Sequence, residues 1–153
     1  MIQEDQEILL IDLCARLSYG VKIHIDCIDG CKHIVGDAIL NKINTITNLY
    51  FDFCDFEQDF TNGDCCPPNG FGGNFLLKIE NFKPYLRPML SMTEEEWDEI
   101  SKIDWKRGIM FSRHLTLCID GDVIDLLNKK MLDWRGLIEK GLALEAPEGM
   151  YNV

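Results

Sequence analysis

Five cysteine and histidine side chains have the residue types of a metal site: Cys27, Cys31, His33, Cys65 and Cys66. Zinc usually takes four soft ligands in tetrahedral geometry, from two short Cys pairs or from a Cys pair and a His pair. Here the first group would be C-x3-C-x-H and the second an adjacent Cys pair, whose neighbouring side chains diverge. Cys27 also falls in phase with the apolar residues of a predicted strand, and free cysteine is among the most buried residue types. We therefore interpret these residues as buried or loop thiols, and the prediction includes no cofactor.

The same thiols could instead act as nucleophiles, which need a neighbouring base such as histidine. The chain contains seven cysteines and three histidines, but neither a G-x-S-x-G nucleophile motif nor a G-x-x-x-x-G-K-[ST] phosphate loop. Any of the three histidines could serve as the base beside a cysteine, but the sequence alone does not place the two in one site. A small cysteine-dependent enzyme is therefore one alternative, and the leading hypothesis is that the protein is not an enzyme.

Charge and cysteine content restrict the class of protein and its compartment. The 153 residues contain 26 acidic and 15 basic side chains, for a net charge of −11, with no basic stripe to neutralise a phosphate backbone. The acidic N-terminal sequence MIQEDQEILLID is unlike a signal peptide, and its apolar run at residues 8–11 is too short to cross a bilayer. An odd number of cysteines without an export signal favours reduced thiols. We expect a cytoplasmic protein that binds neither nucleic acid directly nor membranes.

The most strongly specified segment is residues 81–101, NFKPYLRPMLSMTEEEWDEIS, in which a turn leads into a helix. Thr93 and Glu96 have the spacing of a capping box, in which each side chain binds the backbone N–H of the other residue. Pro84 and Pro88 lack an N–H donor and restrict the residue before them. The two prolines therefore predict that residues 85–87 take no part in regular strand pairing.

Three residues in irregular segments are candidates for a recognition edge: Tyr85, Arg87 and Tyr151. Aromatic and arginine side chains are enriched among the residues that dominate binding energy at protein interfaces. Trp97 and Trp134 are also aromatic, but they lie at helical core spacing and we interpret them as core residues.

The hydrophobic pattern predicts an α+β fold, with a small, mostly antiparallel sheet of about four strands, an N-terminal helix and two or more C-terminal helices. The predicted helices cover residues 4–19, 94–103 and the segment from 122 onward, and the strands lie at 21–27, within 34–46, at 49–54 and at 74–82. Length predicts one globular domain over residues 1–153. Gly, Pro and Asn cluster at 55–73, which predicts an irregular loop or insertion there.

Each of two helices is predicted to bury one apolar face at helical spacing. In the N-terminal helix that face consists of Leu10, Leu13, Cys14 and Leu17. In the last helix it consists of Ile124, Leu127, Met131 and Trp134, after an N-cap at Asp122.

Two blocks resemble an uncharacterised family of small proteins from gut anaerobic bacteria and their phages and mobile elements. They are FKPYLRPMLSMTEEE at residues 82–96 and DWRGLIEKGLALEAPEGMY at residues 133–151. A weaker likeness covers LCARLSYGVKIHI at residues 13–25. The family carries no known chemistry, so the resemblance transfers no catalytic residue. It implies a bacterial or phage cytosol and an accessory gene.

Three functional hypotheses follow from these observations. The leading one is a non-enzymatic cytosolic accessory module that binds another protein, because the chain is acidic and contains no assembled catalytic motif. The first alternative is an acidic inhibitor, encoded by a phage or mobile element, of a nucleic-acid-binding or defence protein. That alternative predicts acidic side chains along one face. The second alternative is the cysteine-dependent enzyme, which predicts a cysteine of low pKa.

Overall fold

The computed structural model describes residues 1–29, 32–44, 50–58, 79–107 and 121–151. Backbone contacts divide the chain into two units, Met1–Tyr85 and Leu86–Val153. This division into compact units does not test the prediction of one domain over residues 1–153, which stays a prediction. Of the predicted irregular segment at 55–73, residues 59–73 lie outside the described part of the chain.

The first unit begins with helix α1, Gln3–Arg16, which continues into a single 3-10 turn at Leu17–Tyr19. Gly20 then takes a left-handed conformation with φ 71° and donates its N–H to the carbonyl of Leu17 at 3.4 Å. A left-handed residue at this position ends many helices, and glycine adopts it without steric cost. The N-terminal helix predicted at residues 4–19 is confirmed.

The buried face of α1 differs from the predicted one by a small rotation. Its buried residues are Leu9, Asp12, Leu13 and Arg16, and Cys14 is exposed. Asp12 and Arg16 form an ion pair with Nε–Oδ2 at 2.7 Å, and both side chains are 0% exposed. Hydrophobic periodicity treats charged residues as solvent-facing, so it could not place these two inside.

Four antiparallel strands form the sheet of this unit: β1, Lys22–Asp29; β2, Lys32–Asn44; β3, Tyr50–Gln58; and β4, Phe82–Leu86. Their spatial order is β3-β2-β1-β4. Along β1 the residues alternate, so that Ile23 and Ile25 are buried whereas His24 lies on the opposite, polar face. The predicted α+β fold with a mostly antiparallel sheet is confirmed.

Three predictions about the strands need correction. The third strand does not end at residue 54 but continues to Gln58, because Glu57 and Gln58 still pair with β2. Of the fourth strand predicted at residues 74–82, residues 74–78 lie outside the described part of the chain, residues 79–81 form a 3-10 turn, and only Phe82 belongs to β4. The two prolines predict that residues 85–87 take no part in regular strand pairing, but β4 contains Pro84, opposite Ile23, and continues through Tyr85 and Leu86. The pairing of β4 with β1 covers only residues 82–84, and proline is tolerated at the margin of a ladder.

The second unit packs helices α2, Glu94–Arg107, and α3, Gly121–Lys129, around an apolar core. The buried core residues are Met92, Ile100, Val123, Leu126, Leu127 and Leu132, with Trp97 and Trp134 half-buried against them. This packing agrees with the prediction that both tryptophans are core residues. Leu144–Glu145 forms a short strand, β5, and the N–H of the following Ala146 donates to the carbonyl of Leu86 at 2.8 Å.

Helix α3 ends earlier than the predicted apolar face requires. The N–H of Leu132 donates to the carbonyl of Leu127 at 3.0 Å, and that of Met131 to the carbonyl of Asn128 at 3.1 Å. These two hydrogen bonds form a Schellman motif. Met131 occupies its left-handed position, with φ 55°, where glycine is usual. Burial of the Met131 side chain, which is 1% exposed, offsets the backbone cost of about 1–2 kcal/mol. Trp134 therefore lies beyond the helix.

None of the helices in the described ranges is long and apolar enough to cross a membrane.

Candidate functional site

A rigid turn joins β4 to α2 in the second unit, and we call residues 87–93 the braced turn. Within it, Met89–Ser91 forms a 3-10 turn. The backbone N–H of Ser91 donates to the carbonyl of Pro88 at 2.9 Å, and the Ser91 hydroxyl donates to the same oxygen at 2.8 Å. Proline also fixes the backbone angle φ at its own position. The tip of the turn is therefore held by local bonds.

A buried ion pair supports the braced turn from inside. The Arg87 guanidinium donates to both oxygens of the Glu96 carboxylate, from Nη1 to Oε1 at 2.8 Å and from Nη2 to Oε2 at 2.9 Å. Nη2 also donates to the carbonyl of Ser91 at 2.9 Å, which ties the turn to the pair. The Glu96 side chain is 3% exposed and that of Arg87 is 11% exposed. Bidentate pairs of this kind restrict geometry as well as supplying energy.

Glu96 also forms the predicted capping box at the start of α2. The N–H of Thr93 donates to Glu96 Oε2 at 2.9 Å, and the N–H of Glu96 donates to Thr93 Oγ1 at 3.2 Å. Burial pushes the pKa of Glu96 upward, but the bonds from Arg87 and Thr93 and the charges of Arg87 and Lys130 lower it overall. One ionised carboxylate thus serves both the helix terminus and the turn.

Leu90 lies at the tip of the braced turn and is 100% exposed. The other large apolar side chains that are exposed in the described residues are Met1, Ile2 and Ile11. Shortly after the turn, α2 exposes an acidic stripe, which consists of Glu94, Glu95, Asp98 and Glu99. Residues at i, i+1, i+4 and i+5 share one side of a helix. The second unit therefore presents an apolar tip on a fixed turn and acidic side chains on the helix that follows it.

The three predicted recognition residues occupy different surroundings. Arg87 is 9% exposed, and its guanidinium binds Glu96, so its role in the described structure is to support the turn. Tyr151 is half-buried in the C-terminal segment. Tyr85 belongs to the first unit, where it lies half-buried on the polar face of the sheet.

On that polar face, His24, Asp37 and Tyr85 from three neighbouring strands form a hydrogen-bonded cluster. His24 of β1 lies directly opposite Asp37 of β2, with Nδ1 at 2.7 Å from Oδ1. The Tyr85 hydroxyl donates to the same Oδ1 at 3.0 Å and lies 3.4 Å from His24 Nδ1. The two rings meet edge to face, with centroids 6.2 Å apart. Because Oδ1 acts as the acceptor for both neighbours, the tautomer that this geometry selects for the neutral imidazole has its proton on Nδ1 and its lone pair on Nε2.

Tyr85 is expected to titrate above the ordinary range of a tyrosine. Burial, followed by the hydrogen bond to Asp37 and its charge, raises the pKa of Tyr85 from 10.0 to about 12. The contribution of the neutral phenol to stability is therefore complete below pH 10 and is lost as the pH rises toward 12. In an alkaline titration followed by tyrosinate absorbance, Asp37→Asn should lower this pKa part of the way, since burial remains. Tyr85→Phe should remove the titration step near pH 12. If that step persists in the variant, it does not belong to Tyr85.

The candidate metal ligands are only partly within the described structure. His33 is exposed, and its Nε2 lies 2.7 Å from Asp26 Oδ1. Cys31, Cys65 and Cys66 lie outside the described residues, and for Cys27 the backbone position in β1 is described. In the portion of the chain that the structure covers, no group of three or more His, Cys, Asp or Glu side chains could hold a metal ion.

The described thiol does not have the properties of a nucleophile. Cys14 lies on the solvent side of α1, and partial burial of its sulfur raises its pKa. A raised pKa leaves the thiol protonated at neutral pH, whereas the reactive form is the thiolate.

Sequence reasoning missed Leu90, Asp37 and the Asp12–Arg16 pair. The pair has an i,i+4 spacing of opposite charges, which is a usable signal for contact but not for burial. Asp37 could be matched with His24 only once the strand register was known. Leu90 carries no signal in its local pattern.

Comparison of the chain with protein-family models, with curated proteins and with solved structures finds no match.

Proposed function

We propose that this protein is a non-enzymatic accessory module that binds another protein, with Leu90 as its principal anchor. The observation that supports this proposal is a leucine that is 100% exposed on a turn held by a buried ion pair. A single exposed apolar residue is common on protein surfaces. What distinguishes Leu90 is the fixed backbone that presents it, since the Arg87 guanidinium donates both to Glu96 and to the carbonyl of Ser91.

A turn that is already fixed favours binding, because less conformational entropy of the turn is lost when the partner binds. The local bonds at Pro88 and Ser91 and the Arg87–Glu96 pair fix the turn before a partner arrives. Burial of a leucine side chain in a partner pocket contributes about 1.5–3 kcal/mol. That energy is comparable with the cost of truncating a residue that dominates an interface.

The charge of the second unit indicates which partner surface would fit. Glu94, Glu95, Asp98 and Glu99 are exposed on the helix that begins beside the turn. The matching surface is an apolar pocket bordered by lysine or arginine side chains, and such charges accelerate association. We place the protein in the cytoplasm, which the odd number of cysteines supports.

The acidic stripe also supports a second candidate function, inhibition of a nucleic-acid-binding protein. Such proteins carry extended basic surfaces that acidic side chains can occupy in place of phosphates. In that case the charges would supply most of the affinity, and Leu90 would contribute little.

Substitution of Leu90 by serine is expected to weaken capture of the partner by at least about tenfold, which is the loss of about 1.5–3 kcal/mol of apolar burial. The measurement is quantitative mass spectrometry of proteins retained from cytosol of the source organism by immobilised wild type and variants, over a series of bait concentrations. Ile11→Ser is the matched control, since Ile11 is also exposed, at 54%, but lies on α1.

Three outcomes separate the proposals. A protein lost with Leu90→Ser and retained by Ile11→Ser supports the anchor. A set that Leu90→Ser does not change, but that raised salt or neutralisation of the four acids removes, supports the inhibitor instead. If no protein is retained in a saturable manner, both proposals fail.

A further inference from the structure

We propose that His24 is a phosphoryl-accepting residue, in which Nε2 is the nucleophile, Asp37 positions the ring and Lys83 attracts the donor. The site lies on the polar face of the first unit and does not depend on the proposed binding function. The class of donor is a small activated phosphoryl compound, namely an acyl phosphate or a phosphoramidate.

Orientation of the imidazole is the first argument. Asp37 Oδ1 lies 2.7 Å from His24 Nδ1 and also accepts the hydroxyl of Tyr85 at 3.0 Å, so the carboxylate is itself held in place. Neutral His24 then keeps its proton on Nδ1 and presents the Nε2 lone pair. Within the described residues, both side-chain hydrogen-bond contacts of the His24 ring are made by Nδ1.

Access and charge are the second argument. The His24 side chain is 31% exposed, so a small donor can approach it from solvent. Lys83 lies directly opposite His24 in the pairing of β1 with β4, and it is exposed. Side chains that are directly opposite in an antiparallel pair have Cβ atoms about 4.5–5.5 Å apart. An ammonium group at that position favours an anionic electrophile and the phosphoryl oxygens of the product.

The chemistry balances without an external base. The Nε2 lone pair attacks phosphorus and the N–P bond forms. With an acyl phosphate the P–O bond breaks and the carboxylate leaves with the electron pair; with phosphoramidate, whose nitrogen already carries the proton it needs, the P–N bond breaks and ammonia leaves. The Nδ1 proton stays hydrogen-bonded to Asp37, so the positive charge that the ring acquires is balanced by the adjacent carboxylate.

His33 provides an internal comparison. It is more exposed than His24, at 62%, and also pairs with an aspartate, but through the other nitrogen, with Nε2 at 2.7 Å from Asp26. Its Nε2 is therefore occupied. If exposure alone determines the rate of phosphorylation, His33 will react first. If the orientation of the imidazole determines it, His24 will react first.

The test uses the full chain and potassium phosphoramidate or acetyl phosphate as the donor. Intact mass and phosphorus NMR should detect one acid-labile phosphoryl group that His24→Gln removes and His33→Gln retains. Asp37→Asn should slow the reaction by about tenfold or more. Nitrogen NMR of the neutral rings should report Nδ1–H for His24 and Nε2–H for His33, with loss of the His24 preference in Asp37→Asn. Equal rates at the two histidines, or an unchanged rate in a folded Asp37→Asn variant, would overturn the proposal.

Discussion

Replacement of Arg87 by methionine is expected to lower the free energy of unfolding by about 3–5 kcal/mol at neutral pH. The reason is that Glu96, which is 3% exposed, would keep its charge inside the protein without the guanidinium that neutralises it. Methionine fills most of the arginine volume, so the loss reports the charge more than a cavity. Urea denaturation followed by circular dichroism measures the change. Glu94→Gln, on the exposed side of the same helix, is the matched control and should change stability by less than about 0.5 kcal/mol.

Acid should reduce this difference. Because the folded-state pKa of Glu96 is below its ordinary value of 4.5, the pair contributes stability above that pH and loses it as the pH falls through the lowered pKa. The wild type and Arg87→Met should therefore converge in acid. The double variant Arg87→Met/Glu96→Gln should recover part of the loss, since glutamine can still complete the capping box. A difference between wild type and Arg87→Met that stays constant from neutral to acidic pH would show that packing, not charge, causes it.

Replacement of Asp12 by alanine should destabilise the first unit by a similar amount, about 3–5 kcal/mol. Arg16 is 0% exposed and donates to both carboxylate oxygens of Asp12, from Nε to Oδ2 at 2.7 Å and from Nη2 to Oδ1 at 3.0 Å. Arginine does not lose its proton in proteins, so it cannot relieve the loss by neutralisation. Thermal or urea unfolding of the variant measures the effect.

The exposed Glu7 on the same helix is the control for Asp12. Its carboxylate accepts a hydrogen bond from Gln3 at 3.0 Å, and Glu7→Ala should cost less than about 0.5 kcal/mol. The double variant Asp12→Leu/Arg16→Met should regain most of the stability that Asp12→Ala loses, because apolar residues often replace a buried pair at little cost. If Asp12→Ala behaves like Glu7→Ala, the pair is not buried in solution.

The parts of the fold that the sequence predicts correctly are those that depend on near neighbours. The capping box needs only Thr93 and Glu96, and the helix end at Gly20 needs only a residue that tolerates a left-handed backbone. The alternation of Ile23, His24 and Ile25 likewise identifies a strand with one polar face. Each signal lies within a few residues, so no knowledge of the distant chain is required.

The errors arise where packing in the folded protein, rather than the local pattern, decides. Pro84 is disfavoured in a strand, yet β1 pairs with it because the ladder ends there. Asp12 and Arg16 are polar by type, but each satisfies the other inside the first unit. Met131 takes the position that glycine would be predicted to fill, because its side chain is buried.

The candidate sites are less predictable than the fold for the same reason. His24 was assigned to a solvent-facing position, but its relation to Asp37 depends on a hairpin register in which Asp29 faces Lys32. Arg87 was selected as a recognition residue because it lies in an irregular segment, and its carboxylate partner is nine residues away on a helix.

Glu96 takes part in both the ion pair with Arg87 and the capping box with Thr93, and this limits which substitutions the sequence can accept. A mutation at residue 87 alone would leave the buried carboxylate of Glu96 without the guanidinium, and a mutation at residue 96 alone would leave the buried guanidinium of Arg87 without the carboxylate. Each single change is therefore expected to cost stability. Lineages that abandon the pair must alter both codons in close succession, while Thr93 can drift to serine, aspartate or asparagine at small cost. Descendants of this chain should therefore show positions 87 and 96 changing together, even where neither residue is invariant.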